Sequence, residues 1–348
     1  MYKTVLRPLL FKFDPEIIHH FIVVSLKTIF KIPCTKFIAK KLLSVNDPIL
    51  ETNLFGITFP NPIGFAAGFD KEGLIYNELN YMGFGFVEIG TFTPKGQPGN
   101  PQPRLFRLKS DKALINRMGF NNSGAAKAAE RIRHNAPKGI IGGNIGKNTS
   151  TPNNKAVKDY GIVFEELFDV VDYFVINVSC PNVTNLRELQ DKEHLLEIIT
   201  EIKMRNESKA NPKPILLKIS PDLNNEQLDD TIDLIKETNL DGIIATNTTT
   251  SRDGLKTPAA KIEEIANGGL SGLPLKDRST EVIQYISEKS NNTIPIIGVG
   301  GINTPEDAIE KLEAGADLLQ VYTGYIYEGP FMLRKINKAT AKWRRKKL

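Results

Sequence analysis

The chain has 348 residues, of which 41% are hydrophobic and 24% are charged, and it contains 27 glycines and 21 prolines. This is the composition of a globular protein, and it excludes collagen-like, low-complexity and wholly disordered chains. The length suits two average domains or one large α/β barrel of about 250 residues with additions.

The cysteine count and the hydropathy pattern exclude further classes. Cys34 and Cys180 are too few for a disulfide framework, a cysteine-rich zinc site or an iron–sulfur cluster, so we expect a reducing compartment. No apolar run approaches the roughly 18 residues of a spanning helix. The N-terminus lacks a small-residue cleavage site, so we expect no signal peptide.

The net charge of +5 conceals two basic ends. Residues 1–45 carry a net charge of +6 and residues 334–348 carry +8, which leaves −9 for the chain between them. Basic ends can meet anionic lipid or nucleic acid, or they can simply be solvated. For the C-terminal run we favour a solvated tail, and we expect no nucleic acid partner.

The N-terminal segment predicts two short helices. Asp14-Pro15-Glu16 begins one of them, because Asp caps the helix, Pro fits its first position and Glu lies near the positive end of the dipole. The apolar stretch IIHHFIVVSLKTIF follows and ends at Pro33, and the segment TVLRPLLF precedes it. Short, apolar, basic helices are typical of an interfacial membrane anchor. The alternative is a helical cap packed on the main domain.

Eight apolar or β-branched runs alternate with helical patterns after residue 60. The runs are PIGFAAG (62–68), FGFVEIG (84–90), GIIGGNIG (139–146), YFVINVS (173–179), PILLKIS (214–220), GIIATNT (242–248), PIIGVGG (295–301) and LLQVYTG (318–324). The helical patterns include Asn122–Arg133, Glu188–Glu207, Asn225–Thr238 and Thr304–Glu313. This alternation predicts an α/β fold, a (β/α)8 TIM barrel with a small N-terminal helical domain. A doubly wound sheet is the rival.

We place the domain boundary at residue 45, with a two-helix N-terminal domain over 1–45 and the barrel over 46–348. The gaps 91–121 and 249–277 are too long for a single helix. Long insertions after barrel strands usually carry function.

Polar or glycine residues end every predicted strand, although an unsatisfied polar group there is costly. They are Asp70-Lys71, Thr91, Asn144, Asn177 with Cys180 and Asn182, Lys218, Thr246 to Thr248, Gly300-Gly301 and Tyr322 to Gly324. In a barrel these positions meet at one face, so they indicate a ligand site. The glycines after the last two strands, with a helix start at Asn303-Thr304-Pro305, predict phosphate binding.

Amide side chains dominate this face. Paired donors and acceptors suit a planar polar ring, and the chain offers them at Asn116, Asn144, Asn177 and Asn247, with Asn182 nearby. No histidine ends a strand, so we expect neither histidine acid–base chemistry nor a metal site.

Two lysines and one cysteine complete the predicted site. Lys71 and Lys218 need a partner charge if buried, from an anionic ring, a substrate carboxylate or a barrel Asp or Glu. Cys180 follows a strand end among polar residues. A thiol with a free pKa of about 8.5 can act as a general base where its thiolate is stabilised. The alternative is a small buried hydrophobe.

Eleven ordered segments carry a family resemblance from Tyr2 to about residue 333. They are NPIGFAAGFDKEG, FVEIGTFTPKGQPGNPQPRLFR, INRMGFNN, GGNIGKN, INVSCPN, LRELQ, ILLKISPD, IIATNTT, GGLSGLPL, IIGVGG and VYTG. Together they resemble the dihydroorotate dehydrogenases, a family of FMN-binding barrels that oxidise dihydroorotate to orotate in pyrimidine synthesis.

The resemblance implies a role for each matching residue. It assigns FMN to Ala67, Gly68, Phe69, Asp70, Lys71, Thr91, Asn144, Asn177, Lys218, Thr246, Gly272, Gly301, Tyr322 and Thr323. It assigns the substrate to Lys71, Asn116, Arg117, Met118, Gly119, Phe120, Asn177, Asn182, Asn247 and Thr248. It implies that Cys180 removes a proton from ring carbon 5 while a hydride leaves carbon 6 for the flavin.

The pattern YKTVLRPLLFKFDPEIIHHF, with LRELQ, resembles the quinone-using, membrane-associated branch. There the N-terminal helices form a tunnel for ubiquinone or menaquinone. Two features depart from that branch: Cys180 stands where it has Ser, and Val183-Thr184-Asn185 where it has Thr-Pro-Gly. A Cys at this position is typical of soluble branches coupled to fumarate or NAD. The N-terminal helices favour the quinone branch.

The quinone branch implies a peripheral protein on the cytoplasmic face of the inner membrane. It would meet an anionic lipid surface through its N-terminal helices and need no obligate protein partner. The alternatives are a soluble fumarate- or NAD-coupled dihydroorotate dehydrogenase, a flavin tRNA-dihydrouridine synthase, and a membrane-docked barrel that has lost catalysis.

Overall fold

A computed structural model describes residues 1–179, 181–182, 186 and 192–347. The strands are β1 (Thr52–Leu54), β2 (Ile57–Phe59), β3 (Ile63–Phe65), β4 (Phe86–Phe92), β5 (Leu105–Leu108), β6 (Ala113–Asn116), β7 (Ile140–Ile145), β8 (Tyr173–Asn177), β9 (Ile215–Ile219), β10 (Gly242–Ala245), β11 (Gly269–Gly272), β12 (Ile296–Val299) and β13 (Leu318–Val321). Eight of them, β3, β4, β7, β8, β9, β10, β12 and β13, close into a parallel barrel in chain order. The predicted barrel and all eight predicted strands are confirmed.

The helices lie around and above this barrel. They are α1 (Arg7–Leu10), α2 (Pro15–Ile29), α3 (Thr35–Leu43), α4 (Tyr76–Tyr81), α5 (Ala125–His134), α6 (Ala156–Leu167), α7 (Lys192–Glu207), α8 (Asn225–Thr238), α9 (Ala259–Ile265), α10 (Lys276–Lys289), α11 (Pro305–Glu313), α12 (Thr323–Glu328) and α13 (Phe331–Lys347). The four predicted helices correspond to α5, α7, α8 and α11. Residues 188–191 of the second lie outside the described part of the chain.

The barrel interior changes from apolar to polar along the strands. Side chains two residues apart point to the same side of a strand, so Phe86 and Glu88 of β4 both face inward. An apolar layer fills the N-terminal half, made by Phe59, Phe86, Tyr173, Val175, Leu216, Ile244, Ile297 and Leu318. The β1–β2 hairpin contributes Phe59 and closes this end. A ligand therefore has access only from the opposite, C-terminal end of the strands.

The two long insertions pair with each other. β5 and β6 come from the first insertion and β11 from the second, and the three form an antiparallel sheet with β6 in the middle. This sheet extends the wall above the C-terminal ends of the barrel strands, so both insertions lie beside the predicted ligand site.

Residues 1–45 form a helical cap that contains three helices rather than the two predicted. A turn of π-helix over Tyr2–Leu6 runs into α1, α2 follows its Asp14 cap, and α3 is the helix that the sequence did not predict. On α2, Ile22, Val23 and Leu26 pack against the core of the barrel.

Polar contacts hold the cap along its length. Arg7 donates to the Tyr327 carbonyl at 2.8 Å, Arg107 donates to the Phe13 carbonyl at 2.6 Å, and Arg334 donates to the Ser44 carbonyl at 2.6 Å. The segment is therefore a packed cap, and exposed apolar side chains such as Ile17, Phe21 and Val24 lie on its outer face.

The expectation of a solvated C-terminal tail is wrong for one face of that segment. The basic run lies on α13, whose inner side buries Leu333, Ile336 and Ala341. Arg344 donates to the Ile49 carbonyl at 2.9 Å. The outer side is solvated, because helical spacing places most of the lysines there.

Candidate active site

A large cleft opens at the C-terminal end of the barrel strands and reaches beneath the cap. It encloses about 1300 Å³ including its open mouth, so its size is ample for a ligand larger than one small metabolite. Its walls come from the barrel strand ends, the three-stranded insertion sheet and helix α2. Glu16 and His19 of the cap line the same cleft as Lys218 and Thr246 of the barrel.

A buried carboxylate organises the floor of the cleft. Glu88 is fully buried and accepts hydrogen bonds from Asn144 Nδ2 at 2.6 Å, Lys218 Nζ at 3.1 Å and Gln320 Nε2 at 2.6 Å. The Lys218 ammonium keeps two further N–H donors and lines the cleft. Of the three kinds of charged partner considered for Lys218, the structure contains the barrel acid, which is Glu88. Lys218 also faces the space above Glu88.

A chain of amides continues from this floor toward the mouth. Asn177 donates to the Asn144 side-chain oxygen at 3.0 Å, and Asn247 donates to Asn177 at 3.3 Å and to the Ser179 hydroxyl at 3.0 Å. Each amide is oriented by its neighbours: Asn177 also donates to the Thr91 hydroxyl at 3.1 Å, so both side-chain N–H groups of Asn177 and of Asn247 are used within the wall. Three of the amides that the sequence predicted at this face therefore lie in contact with one another.

Lys71 occupies the side of the cleft that faces the cap. Its ammonium donates to the Gly68 carbonyl, and within the described residues no carboxylate oxygen lies within ion-pair distance. Burial lowers the pKa of Lys71 to about 8. An anionic ligand in the cleft would offset this burial, because an opposite charge favours the ammonium form.

His19 of α2 packs on the loop after β3. Its Nε2 lies 2.8 Å from the Phe69 carbonyl oxygen, and its ring meets the Phe69 ring edge to face at 4.9 Å. Burial, together with the nearby charge of Lys71, lowers the pKa of His19 to about 3. The imidazole is therefore neutral and donates Nε2–H to that carbonyl.

The cleft brings together most of the residues that the sequence singled out. Those lining it are Ala67, Gly68, Lys71, Thr91, Asn116, Met118, Gly119, Phe120, Asn177, Asn182, Lys218, Thr246, Asn247, Thr248, Gly272, Gly301, Tyr322 and Thr323. They come from the ends of β6 and β11 in the insertion sheet and from seven of the eight barrel strand ends. Parallel strands in one closed barrel bring their ends together in this way.

Four predicted site residues do not line the cleft. Phe69 packs against His19, and Asn144 lies beneath Asn177. The buried Asp70 carboxylate accepts from the Leu74 and Ile75 amides at 2.7 and 2.8 Å, and burial raises its pKa to about 6. Arg117 points away from the cleft, toward the Ile265 and Pro103 carbonyls. Their side chains support the walls. Cys180 lies outside the described residues.

Sequence reasoning missed four side chains of this site: Glu16, His19, Glu88 and Gln320. Glu88 and Gln320 stand inside apolar strands, in FVEIG and LLQVYTG. Their presence could have been predicted, because a charged or amide residue at an inward position of an apolar strand is unusual. The pattern of polar residues at strand ends does not include such positions. Glu16 and His19 had no indication, because their place depends on how the cap docks.

Fold and cleft together define an enzyme of the (β/α)8-barrel class with its site at the C-terminal end of the strands. A family profile described as "Dihydroorotate dehydrogenase" matches residues 49–342. The chain belongs to the dihydroorotate dehydrogenase family.

Individual relatives agree with the profile over nearly the full chain. A protein of Christiangramia forsetii named dihydroorotate dehydrogenase (quinone) is 58% identical, covering 97% of this chain and 98% of that protein. A protein of the same name from Synechococcus sp. (strain JA-3-3Ab) is 48% identical, covering 98% and 92%. The crystal structure of Eimeria tenella DHODH in complex with ferulenol superimposes with a TM-score of 0.84 at 37% identity, covering 94% of this chain and 90% of that one.

Buried polar atoms in the cleft walls fit a hydrogen-bonding cofactor. Within the described part of the chain, the side-chain oxygens of Asn182 and Gln320 are buried and have no hydrogen-bond partner. Buried polar atoms are nearly always paired in folded proteins. The loop at Gly301 and the uncapped start of α12 at Thr323 present backbone amides of the kind that bind phosphate. The residues present therefore suit FMN, a planar polar ring with a phosphate.

The depressed pKa of His19 predicts acid sensitivity of the cap. Between pH 6.5 and about 3, the unfolded chain binds a proton at His19 that the folded protein does not. The stability present above pH 6.5 is therefore lost as the pH falls, by about 2 kcal/mol at pH 5. His19→Gln keeps an N–H donor for the Phe69 carbonyl but does not titrate. We expect this variant to lack the His19 contribution to the loss of stability at low pH.

Urea unfolding at pH 7.5 and at pH 5.0 measures this loss as the difference in the free energy of unfolding. His20→Gln, at the exposed neighbour, is the matched control and should keep the pH dependence of the parent protein. Equal losses in the parent and in His19→Gln would contradict the neutral, buried state of His19.

Proposed function

We infer that this chain is an FMN-dependent dihydroorotate dehydrogenase of the quinone type, which oxidises dihydroorotate to orotate in pyrimidine biosynthesis and passes the electrons to a quinone. One structural observation supports this most directly: the amide-lined floor and the helical cap share one cleft. A substrate held by the amides and an acceptor entering under the cap would then meet at the same cofactor.

The substrate would lie against the upper amides. Asn116, Asn177, Asn182 and Asn247 offer donors and acceptors to the ring, with Thr248 and the backbone from Met118 to Phe120 as walls. Asn182 donates to the Asn116 oxygen at 3.0 Å, so these two act as a fixed pair. The product is planar and anionic, and Lys71 supplies the positive charge on the cap side.

FMN would lie deeper, over the polar floor. Lys218, Thr246 and Gln320 would hold its ring, and the amides at Gly301, Tyr322 and Thr323 its phosphate. When bound, FMN supplies the hydride acceptor and the route of electrons to the quinone. The contribution of the chain is orientation and charge: the Glu88 carboxylate holds Lys218 at a fixed position beneath the ring.

Cys180 would act as the base that takes the proton from ring carbon 5. It follows β8 by three residues, next to Ser179, whose hydroxyl donates to the Lys218 carbonyl at 2.8 Å. A thiol at this place acts through its thiolate, so proton abstraction should quicken as the pH rises toward its pKa.

Anaerobic reduction of the flavin tests the reaction and the base together. We expect dihydroorotate to bleach the yellow, FMN-loaded protein, at a rate that rises with pH up to about 8.5. Cys180→Ala should keep its FMN and its orotate affinity but bleach at least about 100-fold more slowly, because a positioned base contributes about this much. Cys180→Ser, which keeps a hydroxyl of higher pKa, should slow less and respond at higher pH.

Stopped-flow absorption at the flavin band gives these rates. A parent protein that binds FMN but is not bleached by dihydroorotate would contradict the proposed reaction. Unchanged bleaching in Cys180→Ala would contradict only the role of Cys180 as base.

Residues 1–45 would form the quinone tunnel and the membrane contact. Among the described residues, thirteen of the eighteen exposed large hydrophobic side chains fall in this segment. On α2 they form a stripe at Ile17, Phe21 and Val24, opposite the face that packs on the barrel. None of the helices in the described part of the chain has the length and hydropathy needed to traverse a bilayer.

An apolar stripe flanked by lysines suits the interface of an anionic membrane. The same segment carries exposed basic residues at Lys12, Lys31, Lys36, Lys40 and Lys41. The protein would thus be peripheral, with its cap in the headgroup region on the cytoplasmic face of the inner membrane. The quinone would enter between the cap helices from the lipid.

Vesicle sedimentation tests this contact. Phe21→Ser combined with Val24→Ser should weaken binding to vesicles rich in phosphatidylglycerol by about tenfold or more, since each side chain contributes roughly 1.5–3 kcal/mol on full burial. Met204→Ser, which alters an equally exposed side chain on α7, is the matched control and should bind like the parent. Equal binding of all three proteins would place the membrane contact elsewhere or exclude it.

A further inference from the structure

A buried ion pair joins the cap to the barrel at the edge of the cleft. The Glu16 carboxylate of α2 accepts from Arg104 Nε at 3.1 Å to each oxygen and from Arg104 Nη2 at 2.7 Å. Glu16 is 5% exposed and Arg104 is 8% exposed. Burial alone raises the pKa of the Glu16 carboxyl, but the hydrogen bonds and charge of Arg104 lower it below its ordinary value. The pair is charged and geometrically fixed.

Arg104, which is held by Glu16, also binds the loop before β5. Its Nη1 donates to the Pro98 carbonyl at 2.6 Å and to the Asn100 carbonyl at 2.8 Å. Gly99 between them fits so closely that an added Cβ would stand 2.2 Å from the Met118 carbonyl oxygen. The guanidinium therefore bonds on one side to the cap and on the other to a tight loop against the insertion sheet.

Asn100 in this loop forms hydrogen bonds with the segment that the proposed function assigns to the substrate. Its backbone amide donates to the Met118 carbonyl at 3.0 Å, and its side chain donates to the Arg117 and Asn182 carbonyls at 3.0 and 2.9 Å. Asn182 in turn holds Asn116. A continuous path of hydrogen bonds thus runs from Glu16 to the amide pair at the mouth of the cleft.

We propose that Glu16, a residue of the cap, is a positioning residue for the substrate, acting through Arg104 and Asn100 on the segment from Asn116 to Met118 and on Asn182. This rests on the proposed function, which assigns the substrate to those residues. The cap then sets the affinity for dihydroorotate and orotate as well as the access of quinone. By reciprocity of coupled equilibria, orotate strengthens the docking of the cap.

Charge removal at Glu16 should weaken this coupling without emptying the cleft. Glu16→Gln leaves a buried guanidinium without its counter-charge, which frees it to move from the Asn100 carbonyl. Glu16→Ala also removes the acceptor atoms. Neither substitution removes a hydrogen bond of a residue assigned to FMN or of the amide pair, although both remove a negative charge that raises the pKa of Lys71.

Orotate titration of the FMN-loaded protein, followed by the shift of the flavin absorption band, measures the effect. We expect the orotate Kd to rise about fivefold in Glu16→Gln and further in Glu16→Ala, within the usual range of coupling between sites. The KM for dihydroorotate should rise by a similar factor, with kcat and FMN content little changed.

Glu328→Gln is the matched control. Glu328 pairs with Lys3 of the cap and with Lys112 of the barrel, so its loss loosens the cap at a point away from the path. It should bind orotate like the parent protein, which separates a specific path from general loosening of the cap.

Three results would overturn the proposal: unchanged orotate Kd in both Glu16 variants, an equal rise in Glu328→Gln, or a change confined to the quinone KM. A parent protein that does not bind orotate would instead contradict the proposed function itself, and the inference with it.

Discussion

The Glu88 carboxylate, buried at the axis of the barrel, is the constraint on which the site depends. A buried charge is tolerated only with partners of good geometry, and loss of one partner from such a pair costs about 3–5 kcal/mol. Glu88 meets this requirement with donors from three other strands, Asn144, Lys218 and Gln320. Those donors must point inward. The interior is therefore polar toward the C-terminal ends of the strands, and the apolar layer is confined to the N-terminal half.

That polar layer orients the rest of the cleft. Asn177 rests on Asn144, and Asn247 rests on Asn177, so each group that faces the ligand is held from below. Enzyme sites gain when polar groups are already oriented before the reaction. The cap covers the same space from above through Glu16 and His19, so residues of the cap and of the barrel line one cleft.

The sequence was sufficient for the barrel and for most of the site. Its strands are continuous apolar runs with polar ends, and parallel strands in a closed barrel bring those ends to one face, so the strand pattern alone groups Lys218, Thr246 and Tyr322. Family motifs supplied roles for them. What the pattern could not supply is contact between distant segments: the sheet of β5, β6 and β11 joins insertions more than 150 residues apart.

The differences between the predicted and the observed arrangement have the same physical origin. Arg117 and Asp70 match motif positions, but their side chains turn away to bond backbone groups, and only three-dimensional packing decides that. The basic C-terminal run looked solvated because its buried face is made of a few spaced apolar residues. Glu16 and His19 are far in sequence from every strand end of the barrel, so their part in the cleft depends on the docking of the cap.

We infer that dihydroorotate, held by the amides of the cleft, supplies the electrons and that a quinone removes them beneath the cap. Reoxidation of the reduced protein tests this route. The full chain, purified in mild detergent, is reduced anaerobically with dihydroorotate and then mixed with a short-chain quinone, with fumarate or with NAD. We expect the quinone alone to restore the oxidised flavin spectrum rapidly. Rapid reoxidation by fumarate or NAD, with a slow response to the quinone, would contradict it.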